Sequence, residues 1–135
     1  MKRYVSDTQC IVWYLADDLR RLPKAARAAF KTAEDGAAQI LVPSIALVEA
    51  IFLSERRRVP EEVLVKLMAL PETSAASIRV VPLDMAVVRA LSDFGPAAIP
   101  EIADRIIAAT ARALDLPLLT TDPVIEESKL VRVAK

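Results

Sequence analysis

The fold is decided by residues 102–122, IADRIIAATARALDLPLLTTD. The first part, Ile102 to Leu114, runs almost entirely apolar at helical length, yet carries Asp104 where a buried helix would hold another alanine or isoleucine. The second part, LPLLTTD, reads as a short strand that ends on Asp122. A buried helix followed directly by a strand is one step of a pattern that runs along the whole chain. RYVSD reads as a first strand centred on Tyr4 and Val5, and TQCIVWYLADDL as the helix after it, with Ile11, Tyr14 and Leu15 at helical spacing. Pro23 opens PKAARAAFKTAED, whose Ala26, Phe30 and Ala33 form one face and whose stop is Gly36. AQILVP reads as a second strand, and Ser44 is placed to cap IALVEAIFLSERRR. Pro60 begins PEEVLVKLMAL, which Pro71 closes; IRVVPL is a third strand and DMAVVRALSDF a helix ended by Gly95. Pro100 opens the helix that carries Asp104, and KLVRVA is a candidate fifth strand at the edge.

Strands alternating with helices, without tight hairpin signals, predict an α/β fold with a mostly parallel central sheet of four to five strands flanked by helices. Function in such sheets gathers at the carboxyl ends of the strands. PETSAAS is a loop between elements, and no repeat or linker interrupts the 135 residues, so residues 1–135 are expected to form a single domain. Hydrophobic residues make up 54% of the chain and aromatic residues 4%, which requires an interior of Ala, Val, Leu and Ile with closely packed helices. Apolar runs stop short of the roughly 18 residues of a membrane span, and MKRYVSD lacks the hydrophobic segment of a signal peptide. The expected location is therefore the cytoplasm.

Eighteen basic and eighteen acidic residues cancel, so a nucleic-acid partner would have to be held by a local patch. The chain has no histidine and one cysteine. That removes serine–histidine triads, cysteine–histidine pairs, disulfides and the usual zinc ligands together. Hydrolytic chemistry would have to come from carboxylates and whatever hard cation they hold.

Four carboxylates stand out. Asp7 ends the first strand and Asp122 the fourth, at the same edge of the sheet. The simpler account of each is an N-cap, and Pro123 supports it for Asp122. Glu49 is the only polar residue of IALVEAIFL, and Asp104 sits among Ile102, Ala103, Ile106 and Ile107. Arg105 adjoins Asp104 but does not face it on a helix, and Arg112 lies two turns away. If the four acids converge, each like-charged pair at about 5 Å and an effective dielectric near 20 costs roughly 3 kcal/mol. A divalent cation reverses that sign, and an all-oxygen ligand set favours Mg²⁺ or Mn²⁺. The implied reaction is phosphodiester hydrolysis. Thr120 and Thr121 add hydroxyls beside Asp122, suited to orienting a water, although strand threonines are also ordinary β-formers.

These segments resemble the PIN domain family, and within it the VapC-type toxins of toxin–antitoxin pairs. YVSDTQCIVWYL is similar to the family's opening strand and first acid, VPSIALVEAIF to its second acid helix, and IADRIIAATARALDLPLLTTD to its Asp helix and Thr-x-Asp strand end. The resemblance spans nearly the whole chain. It implies a Mg²⁺- or Mn²⁺-dependent ribonuclease whose catalytic and metal-holding acids are Asp7, Glu49, Asp104 and Asp122, with Thr120 beside them. It also implies an RNA substrate, homodimerisation and a small antitoxin protein as partner. Glu101-Ile102 stands here where many relatives carry Asp-Pro, and Pro123 follows the fourth acid directly.

Two basic runs, Arg56–Arg58 and the group Arg20, Arg21, Lys24 and Arg27, are candidates for gripping phosphates, although the simpler account of each is a solvated helix face. Trp13 and Tyr14 read as core or dimer contacts, and Cys10 as a small core residue. Two rivals keep the same fold: a non-catalytic PIN-like module that binds RNA or protein, and a nuclease of RNA processing outside any toxin–antitoxin pair. A phosphoacceptor domain fits poorly, because Asp7 is a lone aspartate at the first strand and no lysine follows the third or fourth strand suitably.

Overall fold

A computed structural model describes residues 1–73, 77–95 and 98–135. The loop expected over PETSAAS falls partly at 74–76, outside the described residues. The chain runs β1 (Lys2–Ser6), α1 (Thr8–Leu15), α2 (Lys24–Glu34), β2 (Ala38–Pro43), α3 (Ser44–Glu55), α4 (Glu61–Ala69), β3 (Ile78–Val81), α5 (Met85–Ser92), α6 (Ile102–Leu114), β4 (Leu118–Leu119) and α7 (Pro123–Ser128). Short 3₁₀ turns at Leu19–Arg21 and Leu70–Glu72 link α1 to α2 and α4 to β3.

All four strands are parallel, in the order β3-β2-β1-β4. Tyr4 pairs with Ile40, Ile40 with Ile78, and Val5 with both Leu41 and Leu118. The chain leaves β1 for β2 on one side and later returns to lay β4 on the other. β1 is therefore the point where the winding reverses, and a crevice opens beyond its carboxyl end. The residue standing there is Asp7.

Alternation along the strands divides the interior into two layers. Ile40 and Val42 point to one side, against Ile11 of α1, Ala26, Ala29, Phe30 and Ala33 of α2, and Ala46 and Ala50 of α3. Val5, Leu41 and Leu118 point to the other, against Val87 and Ala90 of α5 and Ile106, Ile107 and Ala109 of α6. β2, buried on both sides from Ile40 on, accordingly reads as the continuous apolar run ILVP. Cys10 is fully buried, and Tyr14 stacks on Phe30 with ring centroids 4.2 Å apart. No helix among the described residues is long and apolar enough to cross a membrane.

Helix ends follow local chemistry, with one correction. Gly36 stops α2 as its sequence implies: at φ +78° it donates to Ala33 O, and Ala37 donates to Thr32 O, which closes the last turn. Ser44 does not cap α3. Pro43 takes that place, because β2 runs straight into the helix and Ser44 is already its first helical residue. KLVRVA contributes a single parallel bridge, Leu118 to Val133, in place of a full edge strand. β4 has only two residues, Pro117 precedes it, and it offers one rung to a neighbour.

Ile107, fully buried under α6, fixes the helix that carries Asp104. Ile107→Ala is expected to cost about 2–5 kcal/mol, read as a lower urea midpoint at unchanged slope.

Candidate active site

Asp7 is set by its backbone before its side chain matters. Its N–H extends the β1–β4 pairing by bonding to Leu119 O at 3.0 Å, and its Oδ1 then accepts the Cys10 N–H at 2.8 Å, capping α1. The residue is 6% exposed. Burial pushes its carboxyl up from the ordinary range; hydrogen bonds from Thr120 and Cys10 oppose that, and the Asp122 charge adds to it. Asp122 repeats the arrangement at β4: its Oδ1 accepts the Val124 N–H at 2.9 Å and caps α7. Both aspartates are thus N-caps, as the simpler account holds. Capping and convergence turn out to be compatible, because the cap is what anchors each carboxylate at the mouth of the crevice.

Asp104 lies in the first turn of α6 and is half-buried. Its carboxyl is raised to about 7, first by burial, then by a hydrogen bond with Asp122 and the Asp122 charge, then by the charges of Glu49 and Asp7. Asp104 keeps its proton in that bond, because losing it would set like charges in contact. The four acids, from two helices and two strand ends, therefore face one crevice. None of the ion pairs among the described residues gives any of these acids a basic partner. Arg105 donates to Ile99 O at 2.7 Å and Arg112 to Leu130 O at 3.0 Å.

Two hydroxyls hold this group. Thr120, 8% exposed, accepts the Asp122 N–H at 3.0 Å and is hydrogen-bonded to Asp7, so it ties the two strand-end acids together. Its hydroxyl is engaged in holding acids. Thr8, 3% exposed, donates to Glu49 Oε1 and couples α1 to α3. The sequence offered only a hydroxyl next to Asp7 as a sign of Thr8; the partner lies 41 residues away. Thr121 and the runs at Arg56–Arg58 and Arg20–Arg27 remain at the surface, where Arg21 pairs with Asp18 at 3.1 Å.

Among the described residues, no three His, Cys, Asp or Glu side chains are disposed as a closed metal cage. The acids approach in pairs, as the Asp104–Asp122 bond shows. An all-oxygen donor set of this kind suits Mg²⁺ or Mn²⁺, since Mg²⁺ takes one or two carboxylates and keeps several waters.

Residues 4–129 match the PIN domain family. No curated protein matches the chain. Three solved structures are similar in fold. VapBC2 from Rickettsia felis, bound to a DNA fragment from their promoter, has a TM-score of 0.69 at 16% identity, over 97% of this chain and 96% of that one. Mycobacterium tuberculosis VapC20, a Sarcin-Ricin loop cleaving toxin, has a TM-score of 0.67 at 16% identity, over 98% and 99%. FitAcB from Neisseria gonorrhoeae has a TM-score of 0.62 at 23% identity, over 98% and 96%.

The raised Asp104 carboxyl sets the direction of a pH effect. Unfolded, Asp104 ionises near the ordinary 3.8; folded, it keeps its proton to about 7, so its contribution to stability is fully present at low pH and is lost as pH rises through that window. In chelator-treated buffer, Asp104→Asn is expected to flatten this slope and to be more stable at pH 7.5 by about 1 kcal/mol, after allowing for solvent screening. Thermal melting across pH 4–8 checks it, a midpoint shift of about 2–8 °C being anticipated.

Proposed function

Since this chain belongs to the PIN domain family, we propose that it is a divalent-metal-dependent ribonuclease, the toxin of a toxin–antitoxin pair. The observation that carries the reading is the crowding of Asp7, Glu49 and Asp122 around Asp104 with no ion-pair partner among the described residues, an arrangement at odds with structural use alone. The four acids would hold one or two Mg²⁺ or Mn²⁺ ions. When bound there, the cation supplies charge for the scissile phosphate and activates water for its hydrolysis. Asp104 would ligate in its ionised form, Thr120 keeps Asp7 and the Asp122 backbone in register, and Thr8 keeps Glu49 turned into the crevice.

Support for RNA as substrate and for the toxin role comes from the sequence resemblance and from a fold neighbour named as a Sarcin-Ricin loop cleaving toxin. A small antitoxin partner fits the same resemblance, and a cytoplasmic setting fits its substrate. Homodimerisation is supported by Met85 and Val88, large apolar side chains that α5 leaves exposed.

Cleavage of single-stranded RNA with Mn²⁺, set beside calorimetric metal binding, separates the ribonuclease from the non-catalytic module. We expect product from the native chain, and from Asp104→Asn a loss of about 10²–10³ in rate together with weaker metal binding. Full activity in Asp104→Asn excludes the assigned role; metal binding without product from any RNA establishes the module. Thr8→Val, which leaves all four acids in place, is expected to weaken metal binding about tenfold.

A further inference from the structure

α3 is apolar on two sides. Ala46, Leu47 and Ala50 are buried against the core, while Val48 is 43% and Phe52 55% exposed. A helix that shows apolar side chains to solvent as well as to the core marks a surface that is covered in use. Opposite it stands Ile102 at the start of α6, 73% exposed. Between them runs a groove of about 280 Å³, lined by Ile45, Val48, Phe52, Leu53, Ile102 and Ala103, with Glu49 and Arg56 as its two charged residues.

Its two charged residues define what fits. Glu49 lines the groove and its charge also acts on Asp104, so the groove adjoins the acid crevice. Arg56, exposed and without an ion pair among the described residues, follows seven positions later, about 10 Å along the helix. A flat apolar slot between a phosphate-processing centre and a free guanidinium matches one nucleotide: a planar base with an anionic phosphate on either side. A polypeptide helix fits less well, since one turn about 10 Å across and 5.4 Å long displaces roughly 400 Å³.

We propose that this groove seats the nucleobase adjoining the scissile phosphate, stacked on Phe52, with Arg56 on the neighbouring phosphate. The assignment rests on the ribonuclease reading and names how that site selects its substrate: single-stranded RNA with an unstacked base beside the cut. Because base–aromatic stacking tolerates any base, Phe52 governs affinity and cutting position more than sequence.

The test uses the full chain and a fluorescein-labelled, mixed-sequence single-stranded RNA. Binding is read by anisotropy with Ca²⁺, and KM and kcat are read with Mn²⁺. Phe52→Ala is expected to weaken binding and raise KM about tenfold or more with kcat little changed, and Phe52→Trp to restore both. Phe52 is more than half exposed, so its replacement leaves the core intact. If the native chain cleaves RNA and Phe52→Ala keeps its affinity, KM and cut positions, the slot is overturned and the ribonuclease stands. If no variant cleaves but Phe52→Ala still loses RNA binding, the slot stands as a base-binding site and the ribonuclease falls. Dissociation of a dimer by Phe52→Ala at unchanged RNA affinity assigns the groove to a second copy of the chain and overturns the proposal.

Discussion

Repulsion between carboxylates is the constraint on which the rest of the structure turns. Asp104 meets Asp122 at hydrogen-bonding distance, with Glu49 and Asp7 close enough to act on it, and the chain offers these acids hydroxyls and backbone amides in place of cations. Neutral donors fix the positions of the acids without cancelling their charge. A protein arranged for stability alone would have set an arginine there, as it does at the surface with Arg132 and Asp115. The unmet charge is the property that persists.

The parallel sheet is what makes this crowding achievable from distant parts of the chain. With every strand running the same way, the residues that follow β1, β2 and β4 all emerge at one edge. Reversal of the winding at β1 leaves room there. Alanines at Ala108, Ala109 and Ala111 let α6 approach the sheet closely, and that approach carries Asp104, in the helix's first turn, into the same space. Packing and site are thus one design: the small residues of α6 are required by the position of its single inward acid.

Much of this was legible in order along the chain and little of it across the chain. Periodicity exposes each helix, and an acid stranded in an apolar run, such as Glu49 or Asp104, betrays a site because no local partner lies at helical spacing. Strand order β3-β2-β1-β4 leaves no local mark, since apolar strands of this kind would pair in many orders. Thr8 escaped for the same reason, its partner being 41 residues distant. Asp7 and Asp122 escaped in part because capping and site-forming call for the same residue type at the same position, and a sequence pattern cannot divide two roles held at once. Ser44 misled through a general preference for serine at caps that a strand running directly into α3 sets aside.

The two-residue β4 has a final implication. Leu118 sends its N–H to Arg132 O at 2.8 Å and receives the Ala134 N–H at 2.9 Å, so residues 132–134 form a strap over the outer side of the strand whose end holds Thr120 and Asp122. The strap shields an otherwise open sheet edge from pairing with foreign chains. It also couples residues 132–134, through those two hydrogen bonds, to the strand that positions the site, so a displacement of the strap is felt at Thr120 and Asp122.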